Sequence, residues 1–192
     1  QWVFLRDLQG KNDAGHVTCN GSFSPEKILA LDFVATSVPL EEELRKALPF
    51  DLGSVWSQLR PQGDHDQLLL QLTHDFNRKK MNLRCEGQMW NRNEYDRNAV
   101  SVSPTWLPYT WDRVTGSFVY VHGRLSLKDI RGQHRQTEIT FQGQGEAKSD
   151  GWWLDLKPFA VDRLSSTNEL LNALPEPMAE SVRPTEFQGS IN

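Results

Sequence analysis

An internal repeat is the sequence feature that most constrains how this chain folds. The segment LRDLQG at residues 5–10 is matched by LKDIRG at residues 127–132, and VTCNG at residues 17–21 is matched by ITFQG at residues 139–143. Further matches follow in the same order: residues 31–33 with 154–156, 43–44 with 169–170, 47–49 with 173–175, and 62–63 with 188–189. Conserved order and chemistry at a nearly constant offset of about 122 to 126 residues are typical of a duplicated structural unit.

The repeat predicts the domain organisation. We expect residues 1–63 to be the C-terminal half of one repeat, residues 64–189 to be one full repeat of about 125 residues, and residues 190–192 to start the next. In each unit, strands come first and a helical pair follows. A chain that starts and stops inside such an array is expected to be a piece of a longer protein, with neighbouring repeats on both sides.

Alternation of apolar and polar residues predicts strands over most of each unit. Leu68, Leu70 and Leu72 alternate with polar residues, and the same pattern recurs in residues 81–89 after a turn expected at residues 75–79. Such alternation is typical of an antiparallel sheet with one apolar and one polar face. We therefore expect a mainly β fold with short helices, in which a long, curved antiparallel sheet forms an open groove or half of a sandwich.

Two further hairpins are expected at glycine turns. One turn is predicted at His122-Gly123 and the other at Asp150-Gly151. In each case the glycine supplies the positive φ that a tight turn requires. Both hairpins are consistent with an all-antiparallel β fold.

One helical pair is predicted in each repeat. In the first copy, Ser37 is expected to cap a helix that carries acidic residues in its first turn and basic residues toward its end, and Pro49 is expected to stop it. Asp51 is expected to cap a second, shorter helix. In the second copy, a capping box at residues 166–169 predicts the corresponding helix. The shared punctuation of the two copies supports both predictions.

Composition and motifs indicate a non-catalytic protein. The net charge of -4, with both signs interspersed, argues against a nucleic-acid surface. Metal-ligand spacings and catalytic motifs are absent from the sequence, so we expect no enzyme activity, no metal and no cofactor. His65 between Asp64 and Asp66 resembles a metal or acid/base cluster, but a solvated turn where a strand begins is favoured. Asp32 and Asp155 could be a glycosidase pair, but outward strand positions are favoured.

The aromatic segment WLPYTW at residues 106–111 has two interpretations. Its side chains could line the mouth of a ligand groove or meet a membrane surface, where amphipathic aromatic residues are favoured. The favoured interpretation is a strand-to-strand crossover that is fixed by Pro108 and packs over the sheet. The candidates for an aromatic binding site are Trp106, Tyr109, Trp111, Trp152 and Trp153.

Two groups of residues resemble a known family. The segment VPLEEELRKALP at residues 38–49 is followed by LRPQG at residues 59–63, and WLPY at residues 106–109 leads to the turn HGR at residues 122–124. This combination resembles the AsmA-like envelope proteins, a group that includes TamB-type relatives and, more distantly, the bridge-like lipid transfer proteins of eukaryotes. In that group, segments of the type PLDxxLxxALP followed by LxPxG interrupt a long run of strands. Here Glu41 stands in place of the usual Asp, and the second copy lacks the Pro-Leu start.

The resemblance implies a protein of the periplasm or cell envelope, tethered to a membrane by parts outside this chain. It also implies a curved sheet whose elongated apolar groove binds the acyl chains of phospholipid or another lipid, in lipid transport or envelope assembly. Neighbouring repeats of the same chain would be its other partners. Alternation selects these candidate groove residues: Leu31, Phe33, Leu70, Leu72, Met81, Leu83 and Phe141.

The alternative function is that of a β-sandwich module that binds surface polysaccharide or a protein partner. In that case the aromatic candidates would be stacking platforms. The two functions require different surroundings for the alternate apolar residues. A dry sandwich core would leave no room for lipid, whereas an open trough would retain the groove.

Overall fold

The computed structural model describes residues 1–11, 15–48, 50–90, 96–105, 109–148, 151–163 and residue 172. Nine strands form one antiparallel sheet in which each strand pairs with the next in sequence. The strands are β1 (Val3–Lys11), β2 (His16–Phe23), β3 (Ile28–Pro39), β4 (Asp64–Asp75), β5 (Lys80–Met89), β6 (Asp112–Val121), β7 (Arg124–His134), β8 (Thr137–Lys148) and β9 (Gly151–Asp162), and the helices between β3 and β4 are α1 (Glu42–Ala47) and α2 (Phe50–Leu59). The sheet is curved and not closed, so β1 and β9 are its edges, which confirms the predicted fold class.

The pairing register divides the sheet into an apolar and a polar face, because residues directly opposite each other in an antiparallel pair point to the same side. One row of opposite residues crosses all nine strands: Leu8, Cys19, Phe33, Leu70, Cys85, Tyr120, Leu125, Gly145 and Leu154. A second row beside it also crosses all nine: Gly10, Val17, Ala35, Leu68, Gly87, Phe118, Leu127, Gly143 and Leu156. We call the side of the sheet that carries these rows the apolar face.

The opposite side, here called the polar face, carries mostly hydrophilic side chains. Asp32 on β3 lies opposite Gln71 on β4 and accepts a hydrogen bond from its amide at 3.1 Å. Asp155 lies on β9, where its carboxylate pairs with the Lys157 ammonium at 3.1 Å. Six strand positions separate the two carboxylates, so they do not form an acid/base pair.

The sheet curves so that the apolar face is concave from β6 to β9. The rings of Tyr120 on β6 and Trp152 on β9 have centroids 6.4 Å apart. Three strand spacings would separate these strands by about 14 Å in a flat sheet. Side chains that converge this strongly lie on the inside of the curve. Gly145 lies between them, where a Cβ atom would be 3.5 Å from the Trp152 ring.

One end of the apolar face is covered by the connection between β5 and β6. We call residues 96–105 and 109–111 the crossing segment. Val102 and Trp111 form an isolated antiparallel bridge, and the Val114 amide donates to the Val100 carbonyl at 2.7 Å. The buried core of the described residues is Val100, Val114 and Ile130, with Leu40, Met89, Val102, Trp111, Leu127 and Phe141 packed against it.

The helical pair is where the structure corrects the predicted boundaries. Helix α1 starts at Glu42 with Glu41 at its N-cap and no side-chain cap, so the prediction of Ser37 as the cap is wrong. The backbone at Ser37 is instead part of β3, which stays paired with β4 as far as Pro39. Helix α2 begins at Phe50, one residue before the predicted cap. The corresponding helix predicted at residues 166–174 lies outside the described residues except for residue 172.

Helix α2 ends against the crossing segment. The carbonyls of Gln58 and Leu59 accept backbone hydrogen bonds at 2.8 Å from the amides of Thr105 and Ser103. Carbonyls in the last turn of a helix lack partners within the helix, so these bonds satisfy them. The helical pair thereby holds the crossing segment in place over the end of the sheet.

Strands β1 and β7 share a local irregularity at positions that the repeat aligns. Each has a β-bulge with an aspartate in the left-handed region, Asp7 at φ 49° and Asp129 at φ 52°. The third strands align differently from the sequence match, since Gly21 faces Leu31 whereas Gly143 faces Leu156 rather than Leu154. The match of residues 31–33 with 154–156 is therefore wrong by two residues. The period of about 125 residues stays a prediction.

Candidate functional site

The seven candidate groove residues all lie on the apolar face. Leu31, Leu72 and Leu83 are directly opposite one another on β3, β4 and β5, and Phe33 faces Leu70 in the next row. Met81 lies opposite His74 at the far end of the same strands from the crossing segment. Phe141 is separate on β8, where its ring stacks on Phe159 at 6.0 Å and also packs against the buried core. Six of the seven residues thus form one patch.

Five rows of this face carry no formal charge. Besides the two rows that cross the whole sheet, these are three shorter rows: Leu5, Gly21, Leu31, Leu72 and Leu83; Val3, Phe23, Leu29, His74 and Met81; and Ile130, Phe141 and Phe159. None of these rows contains Asp, Glu, Lys or Arg. A charged ligand group would find no ionic partner within them, whereas a hydrocarbon chain would displace only weakly bound water.

The apolar face is open rather than sealed. Leu31, Phe33, Leu70, Leu72 and Leu83 are half-buried. In a β-sandwich a second sheet would cover them, but the described residues form one sheet. A contiguous apolar surface that stays uncovered is typical of a site that binds a ligand, a membrane or another protein. The arrangement is therefore an open trough and not a dry core.

Glycines on the apolar face make room for large neighbouring side chains. A Cβ atom at Gly87 would collide with the ring of Phe118, and one at Gly143 would lie 2.6 Å from Leu156 Cδ2. Phe118 and Leu156 therefore lie flat across the glycine positions instead of standing upright. Phe118, Leu156 and Tyr120 were not among the candidates selected from the sequence. The alternation of apolar and polar residues in the predicted hairpin at residues 117–127 could have identified Phe118 and Tyr120.

The aromatic candidates do not share one surface. Trp106 lies outside the described residues. Tyr109 is only 2% exposed. Its ring centroid lies 3.8 Å from that of His134, and 5.0 Å from that of Trp111, which it meets edge to face. Trp152 lies on the apolar face, whereas Trp153 lies on the polar face below the Lys148 ammonium. Tyr109 and Trp111 thus pack over the sheet, as the crossover interpretation expects.

The Asp64, His65 and Asp66 cluster is structural in its described contacts. His65 and Asp66 are buried, so the predicted solvated turn is wrong in its solvation, although β4 does begin there. Asp66 accepts the Trp90 backbone N–H at 2.7 Å, and Asp64 accepts the Asn98 amide at 2.9 Å. These bonds tie the start of β4 to the connection that follows β5. Across the described ranges, no group of three or more His, Cys, Asp or Glu residues is arranged to hold a metal ion.

The two cysteines are free thiols in the apolar row. Cys19 lies between Leu8 and Phe33, and Cys85 between Leu70 and Tyr120. Burial, with a smaller contribution from the nearby Glu86 carboxylate, raises the pKa of Cys85 to about 11. A thiol with so high a pKa stays protonated near neutral pH and is a poor nucleophile. Cys85 therefore acts as a small apolar side chain.

Comparisons with protein-family models, with curated proteins and with solved structures found no match to this chain. Within the described part of the chain, no helix is both long and apolar enough to span a bilayer. The candidate site therefore rests on the geometry of the apolar face.

Proposed function

We propose that this chain is a non-catalytic segment of a larger cell-envelope protein similar to the AsmA-like group. Its concave apolar face would bind the acyl chains of a phospholipid or another lipid, in lipid transport or envelope assembly. The observation that carries the proposal is the pair of uncharged rows that cross nine strands while most of their large side chains stay half-exposed. Each acyl methylene buried there would contribute about 0.8 kcal/mol.

The chemistry of the face favours hydrocarbon over sugar. A polysaccharide site needs hydrogen-bond partners for hydroxyl groups beside its stacking rings, because unpaired polar groups are costly to bury. The central rows offer Leu, Phe, Met and Cys side chains instead. The exposed Trp153 lies on the polar face, on the opposite side of β9 from Trp152. These features support the acyl-chain proposal over the polysaccharide module.

The edges of the sheet fit a place within a longer array. β1 exposes the large side chains of Val3, Phe4 and Leu8, and Trp2 just before the strand is also exposed. An exposed apolar edge strand is a template for pairing with another strand. In our proposal, neighbouring repeats of the same chain pair with β1 and β9 and lengthen the trough. Parts outside this chain would tether the array to a membrane of the envelope.

Lipid binding can be tested with a matched pair of charge substitutions on β9. Leu154 on the apolar face is 45% exposed and its neighbour Trp153 on the polar face is 52% exposed, so both should accept glutamate without unfolding. We expect Leu154→Glu to weaken binding of a fluorescent fatty acid by about tenfold or more, because a carboxylate in an acyl site must be desolvated. Trp153→Glu should bind like the unmodified chain.

Native mass spectrometry of the purified chain provides the second readout. Co-purified phospholipid that is lost in Leu154→Glu but kept in Trp153→Glu would support the proposal. Equal binding by all three proteins, or loss only in Trp153→Glu, would contradict it. Lipid-free protein that binds glycans through Trp153 would support the polysaccharide module instead.

A further inference from the structure

A second, chemically different cleft lies where the crossing segment meets the ends of β6 and β7. Its volume is about 750 Å³, and its lining includes Arg97, Arg113 and Arg135 as well as Asp96 and Asp112. Asp112 lies opposite Gln133, another lining residue, and neither belongs to an apolar row. The cleft is therefore a feature separate from the trough.

The charges around the cleft favour an anion. The lining contains three arginines and two aspartates, which is an excess of one positive charge on a chain whose net charge is -4. The Asp96 carboxylate already accepts the Asn98 backbone N–H at 2.9 Å. Among the residues that the structure describes, neither Arg97 nor Arg113 makes an ion pair. Their donors are available to a ligand.

Backbone irregularities place two of these arginines at the cleft. Arg113, at φ 50°, lies in the bulged start of β6, where the register with β7 shifts between Asp112 and Thr115. Arg135, at φ 55°, lies in the turn between β7 and β8. Bulges redirect side chains out of the regular alternation, and the left-handed region is uncommon for residues other than glycine. The irregular backbone thus brings both side chains to the lining of one cleft.

We propose that this cleft binds a phosphate-type oxyanion. A guanidinium group is planar and presents donors that match two phosphate oxygens at once. The guanidinium groups of Arg97 and Arg113 alone provide enough donors to bind one phosphate. The ligand could be free phosphate or the phosphate of a lipid headgroup, since both present the same oxygens. This site does not depend on acyl binding in the trough.

Titration with inorganic phosphate at low ionic strength, followed by calorimetry, tests the cleft. Arg97→Ala and Arg113→Ala should each weaken binding by about three- to tenfold through loss of charge-assisted hydrogen bonds at a partly exposed site. Asp112→Asn should tighten binding by about threefold because it removes an opposing charge. Arg124→Ala is the control, since Arg124 is 80% exposed and pairs with Glu146 on the polar face, and it should bind phosphate normally.

Vesicle binding distinguishes the two sources of phosphate. Phosphatidylcholine vesicles with and without phosphatidic acid are mixed with the chain and with Leu154→Glu, which leaves the cleft intact. Binding that requires phosphatidic acid and Arg113, but not Leu154, supports a headgroup ligand, whereas binding of inorganic phosphate alone supports a free anion. Failure of both probes would overturn the proposal. So would an equal loss in Arg124→Ala and Arg113→Ala, because general charge would then explain binding.

Discussion

Strands β1 and β7 have similar local geometry but very different burial. In β1–β3, Leu8 follows the bulge at Asp7, faces Cys19 and is 50% exposed. In β7–β9, Ile130 follows the bulge at Asp129, faces Phe141 and is 6% exposed. The backbones differ little at these positions. Two things differ: β1 is an edge strand whereas β7 is paired on both sides, and Val100 of the crossing segment packs against Ile130.

Gly10 on β1 and Gly132 on β7 show the same contrast between an uncovered and a covered strand. A Cβ atom at Gly10 would meet Val17 Cγ1 at 3.5 Å, and one at Gly132 would meet Ile139 Cγ1 at the same distance. Only at Gly132 does the crossing segment add a contact, with Trp111 Cβ at 3.3 Å. Strands of this type therefore make a half-open apolar surface by themselves. A sealed core forms only where another segment covers them, and the uncovered part is what we propose for acyl chains.

The largest expected effect compares Ile130→Ala with Leu8→Ala. Truncating the buried Ile130 should lower the free energy of unfolding by about 2–4 kcal/mol, since it removes apolar contacts and leaves a cavity. Leu8 is half-exposed on an edge strand, so its truncation should cost less than about 1 kcal/mol. Urea denaturation followed by far-UV circular dichroism measures both.

A similar loss in both variants would break the comparison, because Leu8 would then have to be covered in solution. Repeating the denaturation over a range of protein concentrations identifies the cover. A midpoint that rises with concentration for the unmodified chain but not for Leu8→Ala would indicate a second copy on β1.

The next effect tests whether the two ends share the same close strand approach. A Cβ atom at Gly21 would lie 2.6 Å from Leu31 Cδ2, and one at Gly143 would lie 2.6 Å from Leu156 Cδ2. Both also meet a backbone carbonyl oxygen below 3 Å. We expect Gly21→Ala and Gly143→Ala each to destabilise the chain by about 1–3 kcal/mol.

Gly10→Ala is the matched control for both glycine variants. Its nearest neighbour is a side-chain methyl at an ordinary contact distance, so thermal unfolding should change little. A large loss for Gly143→Ala with none for Gly21→Ala would mean that close approach depends on the crossing segment. The shared local geometry would then be an unsound basis for comparing the two ends.

The strands could be predicted from local sequence, whereas the segment that covers them could be predicted only in part. The turn at His122-Gly123 follows from glycine chemistry, and both residues have positive φ there, 50° and 79°. Alternation likewise placed Leu70 and Leu72 on the apolar face, because strand side chains alternate with period two. The aromatic segment at residues 106–111 indicated that Tyr109 packs over the sheet, but nothing local in Val100 indicates that it packs onto β6 and β7, since that contact depends on how a long connection folds back.

Sequence comparison also could not place bulges and cap positions. Ser37 has the right chemistry for a helix cap, but pairing of β3 with β4 continues past it and outweighs that preference. The sequence match of Leu31 with Leu154 assumed hairpins of similar length, but the partner of Gly21 is Leu31, ten residues on, whereas the partner of Gly143 is Leu156, thirteen residues on. The cleft arginines were missed for a related reason, because they are brought together by an irregular backbone and a long connection.

The smallest expected effect concerns the bulges themselves. Asp7 and Asp129 occupy the left-handed region, where glycine has no steric penalty. Asp7→Gly should stabilise the chain by up to about 1 kcal/mol, since its backbone N–H would still donate to Asn20 Oδ1. Asp129→Gly should be closer to neutral, because it also loses the hydrogen bond from the Gln142 amide to Asp129 Oδ1. Asp7→Ala controls for loss of the side chain. If thermal unfolding gave Asp7→Ala and Asp7→Gly the same stability, residue 7 would not need the left-handed conformation, and β1 would not hold this bulge. The two ends would then differ in backbone conformation as well as in cover.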